Sequence, residues 1–273
     1  MKELFDHISR KTSKIVTSQY STSFSLGINM FSKRFRDPIR AIYGFVRLGD
    51  EIVDTFHEFG KEKLLDSYRK QTYEAIEEGI SLNPLLNNFQ HTVNSYGIEK
   101  ELIDLFFQSM EMDLNKKEYD RVEYERYILG SAEVVGLMCL RVVVEGDGQR
   151  YEQLKPYAMS MGSALQKINF LRDLRVDYNM GRVYFPGVNM ESFTEEDKKA
   201  IEDDIEKDLK HGYEGIMLLP SSSRRAVYLP YRYFAALLKK IRNSPVEVIM
   251  NGRVRIPNAH KYWILITSFV SMR

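Results

Sequence analysis

Apolar positions in this chain recur every three to four residues over long stretches, and no run alternates apolar and polar positions for long enough to make a strand. The pattern predicts ten helices, at roughly 4–19, 38–57, 61–79, 83–96, 99–115, 123–145, 151–178, 194–218, 223–242 and 259–270. Two of the starts carry local signals. Thr194 is followed by Glu195, Glu196 and Asp197, a hydroxyl cap with acids near the positive helix end. Asp37-Pro38 reads as an N-cap and a first-turn proline. The 8 prolines and 16 glycines fall mostly between periodic segments, and no linker or low-complexity tract divides the chain. The expectation is all-α: one helical domain spanning residues 1–273. One substantial non-helical stretch interrupts the middle, Asn179 to Phe193, with Gly181, Pro186 and Gly187. It reads as a flap or as a plain connecting loop.

The helical pattern also aligns chemistry. Residues four apart share a helix face, so Asp50 and Asp54 present two carboxylates to one point, with Tyr43 and Arg47 preceding them on the same stripe. Alone, such a pair is a common solvated feature. The second constellation changes its meaning. At 100° per residue, Gln166 falls about 40° from Gly162, Asn169 about 20° to the other side, Asp173 about 20° and Asp177 about 60°. Two amides and two carboxylates thus share a narrow stripe, while Leu165, Ile168, Leu171 and Leu174 point elsewhere. Close carboxylates repel unless cations arrive. Mg²⁺ takes hard oxygen ligands, often one or two carboxylates plus substrate phosphate oxygens, so two such stripes suit a metal-bound diphosphate. Arg47, Arg172, Arg182 and the run Ser21-Thr22-Ser23 are candidates to complete anion recognition. Zinc is disfavoured by five scattered histidines and one cysteine. A carboxylate pair for glycoside hydrolysis fits the geometry but leaves Gln166 and Asn169 without a role.

Composition narrows the partners. With Lys+Arg 39 against Asp+Glu 38, no global field favours nucleic acid. The single cysteine, Cys139, forms no internal disulfide and sits among Leu137, Met138 and Leu140, which predicts a buried, inert thiol. No signal segment precedes the first helix, and Tyr262 to Val270 is far short of the roughly 20 apolar residues of a membrane span. A cytoplasmic protein is expected, with peripheral membrane contact left open.

At these residues the sequence resembles the squalene/phytoene synthase family over nearly the whole chain. Tyr20 to Ser25 and Arg40 to Asp54 are similar to its serine segment and first aspartate-rich motif. Gln166 to Asp173, Asp177 and Gly181 to Pro186 resemble the second motif and the flap after it. Tyr127 to Gly136 and Arg253 to Pro257 match more weakly. Thr22 stands where some members carry a phosphate-binding lysine, and Phe234 where some carry a tyrosine, with Tyr231 and Tyr233 nearby.

The resemblance implies an isoprenoid-synthase-type helical bundle with a central apolar cavity. It assigns Asp50, Asp54, Asn169, Asp173 and Asp177 to Mg²⁺, with Mn²⁺ as the alternative ion. It places Ser21, Ser23, Arg47, Tyr127, Gln166, Arg172 and Tyr184 around prenyl diphosphate substrates, and Phe24, Val134, Val135, Gly136 and Gly162 along the prenyl chains. The implied activity is head-to-head joining of two geranylgeranyl diphosphates to phytoene, without a nicotinamide cofactor. Squalene or dehydrosqualene synthesis from farnesyl diphosphate is the second reading. A non-catalytic assembly protein is the rival from another class.

Overall fold

The computed structural model describes residues 2–115 and 118–271, with the side chains of Asn258, Tyr262, Phe269, Val270 and Ser271 outside the described residues. The described residues form thirteen α-helices and contain no named strand; the one β-bridge among them pairs Glu118 with Val183. They are α1 (Lys2–Tyr20), α2 (Thr22–Met30), α3 (Lys33–Asp54), α4 (Lys61–Glu78), α5 (Pro84–Tyr96) and α6 (Lys100–Asn115). Then come α7 (Arg121–Ile128), α8 (Val134–Val143), α9 (Gly148–Asn179), α10 (Glu195–Leu218), α11 (Ser221–Arg242), α12 (Val246–Asn251) and α13 (Asn258–Ser271). All ten expected helices are present.

The departures have local causes. Asp37-Pro38 does not start α3. The helix begins at Lys33, anchored by the buried ring of Phe35, and Pro38 lies inside it. Asp37 instead pairs with Arg40 at 3.0 Å. The expected helix 123–145 is broken by a π-helical turn, Leu129–Glu133, between α7 and α8. Gly130 lets that turn press against α6, because a β-carbon there would collide with the carbonyl oxygen of Leu105. Helix α2 has a Ser/Thr/Gly-rich sequence of poor propensity; it is capped by Ser21 and packed on α11. Helix α12 is six residues long and follows Pro245. The Thr194 cap forms as expected, its hydroxyl accepting from the Asp197 amide at 3.1 Å.

The core divides into two clusters. The first gathers Phe45, Phe89, Phe106 and Phe107 beneath α3, α5 and α6, with the Phe45 and Phe89 rings stacked at 3.9 Å. The second gathers Tyr127, Phe170, Tyr184 and Phe185 around the far end of α9. Between these clusters lies an apolar tunnel of ≈ 360 Å³ walled by α2, α3, α8, α9, α10 and α11. Glycines bring some walls together. A β-carbon at Gly49 would sit 2.7 Å from the Phe106 ring, so the residue before Asp50 lets α3 close on α6.

Candidate active site

The tunnel has a polar end and a greasy depth. Asp50, Gln166 and Asn169 line one end, with Tyr43 and Phe24 beside them; Phe31, Val143, Leu154 and Leu219 line the other. Asp50 and Ile39 both line the wall from α3, and at 1.5 Å per residue they are about 16 Å apart along the axis. Gly162, Val135 and Gly136 also line the tunnel, whereas Val134 packs fully buried in the core. Cys139 lines the wall rather than the core, and burial pushes its thiol up to about 12, so it stays protonated.

The two acidic stripes face a common space. Arg182, on the segment after α9, reaches Asp54 on α3 at 2.7 Å. Its charge also acts on Asp177 of α9 and on Asp113 of α6. Asp50 is pushed up to about 7, first by burial, then by Asp54, with Arg47 opposing and Asp113 adding. Asp177 is also pushed to about 7, by burial and then by Asp173. This is the signature of several carboxylates with too little positive charge among them.

Other stripe members are already partnered. Asp173 meets two guanidinium groups, Arg172 at 2.5 Å and Arg253 at 2.6 Å. Its charge is therefore already neutralised within the protein, because the segment after α12 delivers Arg253. Among the described residues no three His, Cys, Asp or Glu side chains form a ready metal cluster.

Arg47 holds Glu51 at 2.5 Å and lies over the Tyr20 ring, 4.4 Å from its centroid. Its Nε is buried and has no partner. Ser21 is the N-cap of α2 and accepts from the Phe24 amide at 3.2 Å, so its hydroxyl is already engaged in capping, while Ser23 lies half-buried in the first turn. Of the residues near the family's variable tyrosine, Phe234 is buried against Phe24 and Tyr231 lines the tunnel.

The segment Asn179 to Phe193 is packed down. Tyr184 and Phe185 are buried, and the Tyr184 ring stacks on Phe170 at 4.0 Å. Beneath it lies a residue the motif reading missed, Asp113. Its buried carboxylate accepts from Tyr127 at 2.6 Å, Tyr119 at 3.2 Å and Tyr184 at 3.4 Å. A signal existed: Ile103, Phe106 and Met110 form a buried stripe at helical spacing, and Asp113 is the next position on it. An acid continuing an apolar stripe is a buried acid.

A helical bundle enclosing an apolar tunnel with carboxylates at one mouth defines the class of isoprenoid synthases. The squalene/phytoene synthase family model matches residues 17–260, and the chain belongs to that family. It is 26% identical to a phytoene synthase of Arthrospira platensis, over 92% of this chain and 89% of that protein. It is 25% identical to a 4,4'-diapophytoene synthase of Staphylococcus haemolyticus, over 71% of this chain and 66% of that one. The fold is that of a dehydrosqualene synthase solved with a ligand, with a TM-score of 0.85, 18% identity, and 98% of this chain and 97% of that one covered. No described helix is long and apolar enough to cross a membrane.

Proposed function

We propose that the protein condenses two geranylgeranyl diphosphates head to head into phytoene, releasing both diphosphates. The supporting observation is the tunnel: a long apolar space whose one carboxylate and two side-chain amides, among the described residues, all sit at the mouth. Such a shape fits a long hydrocarbon with an anionic head.

The residues fit a divalent cation. Asp50 and Asp177 are held well above the usual carboxylate range by burial and like charge, a cost that a cation removes. The unpartnered Nε of Arg47 awaits an acceptor such as a phosphate oxygen. Asp50 and Asp54 from α3, with Asn169, Asp173 and Asp177 from α9, would hold Mg²⁺ or Mn²⁺. When bound, the ion neutralises charge developing on the leaving diphosphate.

The chain's own groups supply the rest. Arg47, Arg172 and the first turn of α2 face the anion, and Gln166 offers an amide beside it. Loss of diphosphate from one substrate leaves an allylic cation. The double bond of the second attacks it, and loss of a proton closes a cyclopropyl diphosphate. Departure of the second diphosphate, rearrangement and loss of a second proton give phytoene. The released diphosphate can itself accept these protons. The apolar wall keeps water from the cations, and the Phe24 and Tyr43 rings offer cation-stabilising faces. Tyr127 and Tyr184 hold their hydroxyls toward Asp113.

Synthesis of squalene or dehydrosqualene from farnesyl diphosphate is the second reading, favoured by the dehydrosqualene synthase fold match. A non-catalytic scaffold is disfavoured because both acidic stripes are complete. Incubation with Mg²⁺ and either diphosphate, with and without NADPH, followed by identification of the hydrocarbon, decides among them. Phytoene is expected without NADPH. Exclusive formation of squalene or dehydrosqualene overturns the product, and absence of diphosphate release overturns the enzyme.

A further inference from the structure

Helix α1 is packed inside out. Its buried residues are Ser9, Ser13 and Thr17, all at most 1% exposed, while Leu4, Ile8 and Ile15 are 65%, 45% and 60% exposed. Measured around the helix from Leu4, Ile15 lies at about 20° and Ile8 at about 40°, whereas Ser9, Ser13 and Thr17 lie within about 40° of the opposite side. The inward hydroxyls are satisfied. Asn87 of α5 donates to Ser9 at 3.1 Å and to Asp6 at 3.0 Å, and Asn88 donates to Ser13 at 2.9 Å. The helix is thus held by polar contacts and small side chains, and its three large aliphatic residues face solvent.

The charges on the outward side have one sign. Within about 90° of Leu4 the charged residues are Lys11 and Lys14, both exposed and, among the described residues, neither in an ion pair. Glu3 lies just outside that sector. Beside the N-terminal end of α1, Leu82 is 94% exposed in the turn before α5. The amide of its neighbour Ser81 donates to the same Asn87 that holds Asp6. An aliphatic stripe flanked by lysines is the composition of a helix that lies in the plane of an anionic bilayer. Solvent-facing aliphatic residues at this density mark an interaction surface.

We propose that the outward face of α1 docks the protein on an anionic lipid surface, with Leu4, Ile8 and Ile15 entering the interface and Lys11 and Lys14 meeting the headgroups. The helix ends at Tyr20, which lies about 160° from Leu4 and turns its ring inward under Arg47, so the docking face is separate from the site residues. The inference stands on this surface and not on the reaction, and its assay requires no turnover.

The test is flotation of the full chain with vesicles of phosphatidylcholine, with and without phosphatidylglycerol. The chain is compared with the variants Ile8→Ser/Ile15→Ser and Lys11→Gln/Lys14→Gln. The parent is expected to float with the anionic vesicles only. The lysine variant should partition about thirtyfold more weakly, since each basic residue near an anionic surface contributes about fivefold. The aliphatic variant should lose binding, with helicity and melting unchanged. If its melting does change, the lysine variant, whose side chains form no ion pairs among the described residues, decides alone. Failure of the parent to float, or undiminished flotation of the lysine variant, overturns the proposal. So does a parent dimer that the aliphatic variant dissolves, which would show a second copy on this face.

Discussion

The Tyr127 hydroxyl donates to the Asp113 carboxylate at 2.6 Å, joining α7 to α6 beside the acidic cluster of Asp50 and Asp54. Tyr119 and Tyr184 donate to the other oxygen of the same group. A buried carboxylate accepting three phenols fixes the direction of each hydroxyl. It also draws down the segment after α9, which supplies Tyr184.

That arrangement makes Asp113 a positioning residue for Tyr127. Asp113→Asn should lower turnover by about 10–100-fold, as should Tyr127→Phe, and the double variant should lose little more than either alone. Steady-state rates for the four proteins check this. Losses that multiply would show two independent roles.

Arg182 stands among Asp54, Asp113 and Asp177 as a built-in cation. Arg182→Gln should therefore destabilise the protein in chelator by about 1–2 kcal/mol, a melting shift of ~2–8 °C. Mg²⁺ should recover more of that loss than the increment it gives the parent. Melting curves in chelator and in Mg²⁺ measure it; equal Mg²⁺ increments would show that the ion and the arginine do not share the site.

Glu133, in the π-helical turn, gives a pH signature away from the mouth. Burial and then Asp208 push it up to about 7, with Lys167 opposing. The folded state therefore holds this proton more tightly than the unfolded chain, where the ordinary value is 4.5. Its stabilising contribution is complete below that value and is lost as pH rises through about 7. Glu133→Gln should be more stable than the parent at pH 8, by on the order of 2 kcal/mol, with the gap closing toward pH 4. Urea unfolding at the two pH values tests the sign.

Close helix contact gives a stability prediction independent of charge. A β-carbon at Gly215 of α10 would collide with Cβ of Tyr157 on α9. Gly215→Ala should cost about 1–3 kcal/mol in urea unfolding. Gly148→Ala, at a position with nothing within 4 Å, should leave stability within a few tenths of the parent or slightly above it.

Legibility in the sequence followed helical periodicity. Asp50 with Asp54, and Asn169 with Asp173 and Asp177, were visible because three- and four-residue spacing places them on one face without knowledge of the fold. The burial of Asp113 was readable from the apolar stripe of α6, but its role was not, because a single acid carries no motif and its meaning comes from tyrosines brought in by other segments. The partners of Asp54 and Asp173 were likewise hidden: Arg182 is 128 residues from Asp54 and Arg253 is 80 from Asp173. Helix α2 escaped because its stability comes from Ser21 and from α11 rather than from its own residues. In α1 the periodicity located the helix, yet the apolar stripe is the outer one, because Asn87 and Asn88 make an inward polar face more favourable.

The central claim is that the two acidic stripes act together on a metal-bound diphosphate at the mouth of an apolar tunnel. The most direct measurement is diphosphate release from geranylgeranyl or farnesyl diphosphate as Mg²⁺ is titrated, for the parent, Asp50→Asn and Asp173→Asn. Release should require Mg²⁺ in the parent and fall by at least ~10³-fold in either variant, with helicity retained. Near-normal release in either variant, or release that persists in chelator, would contradict it.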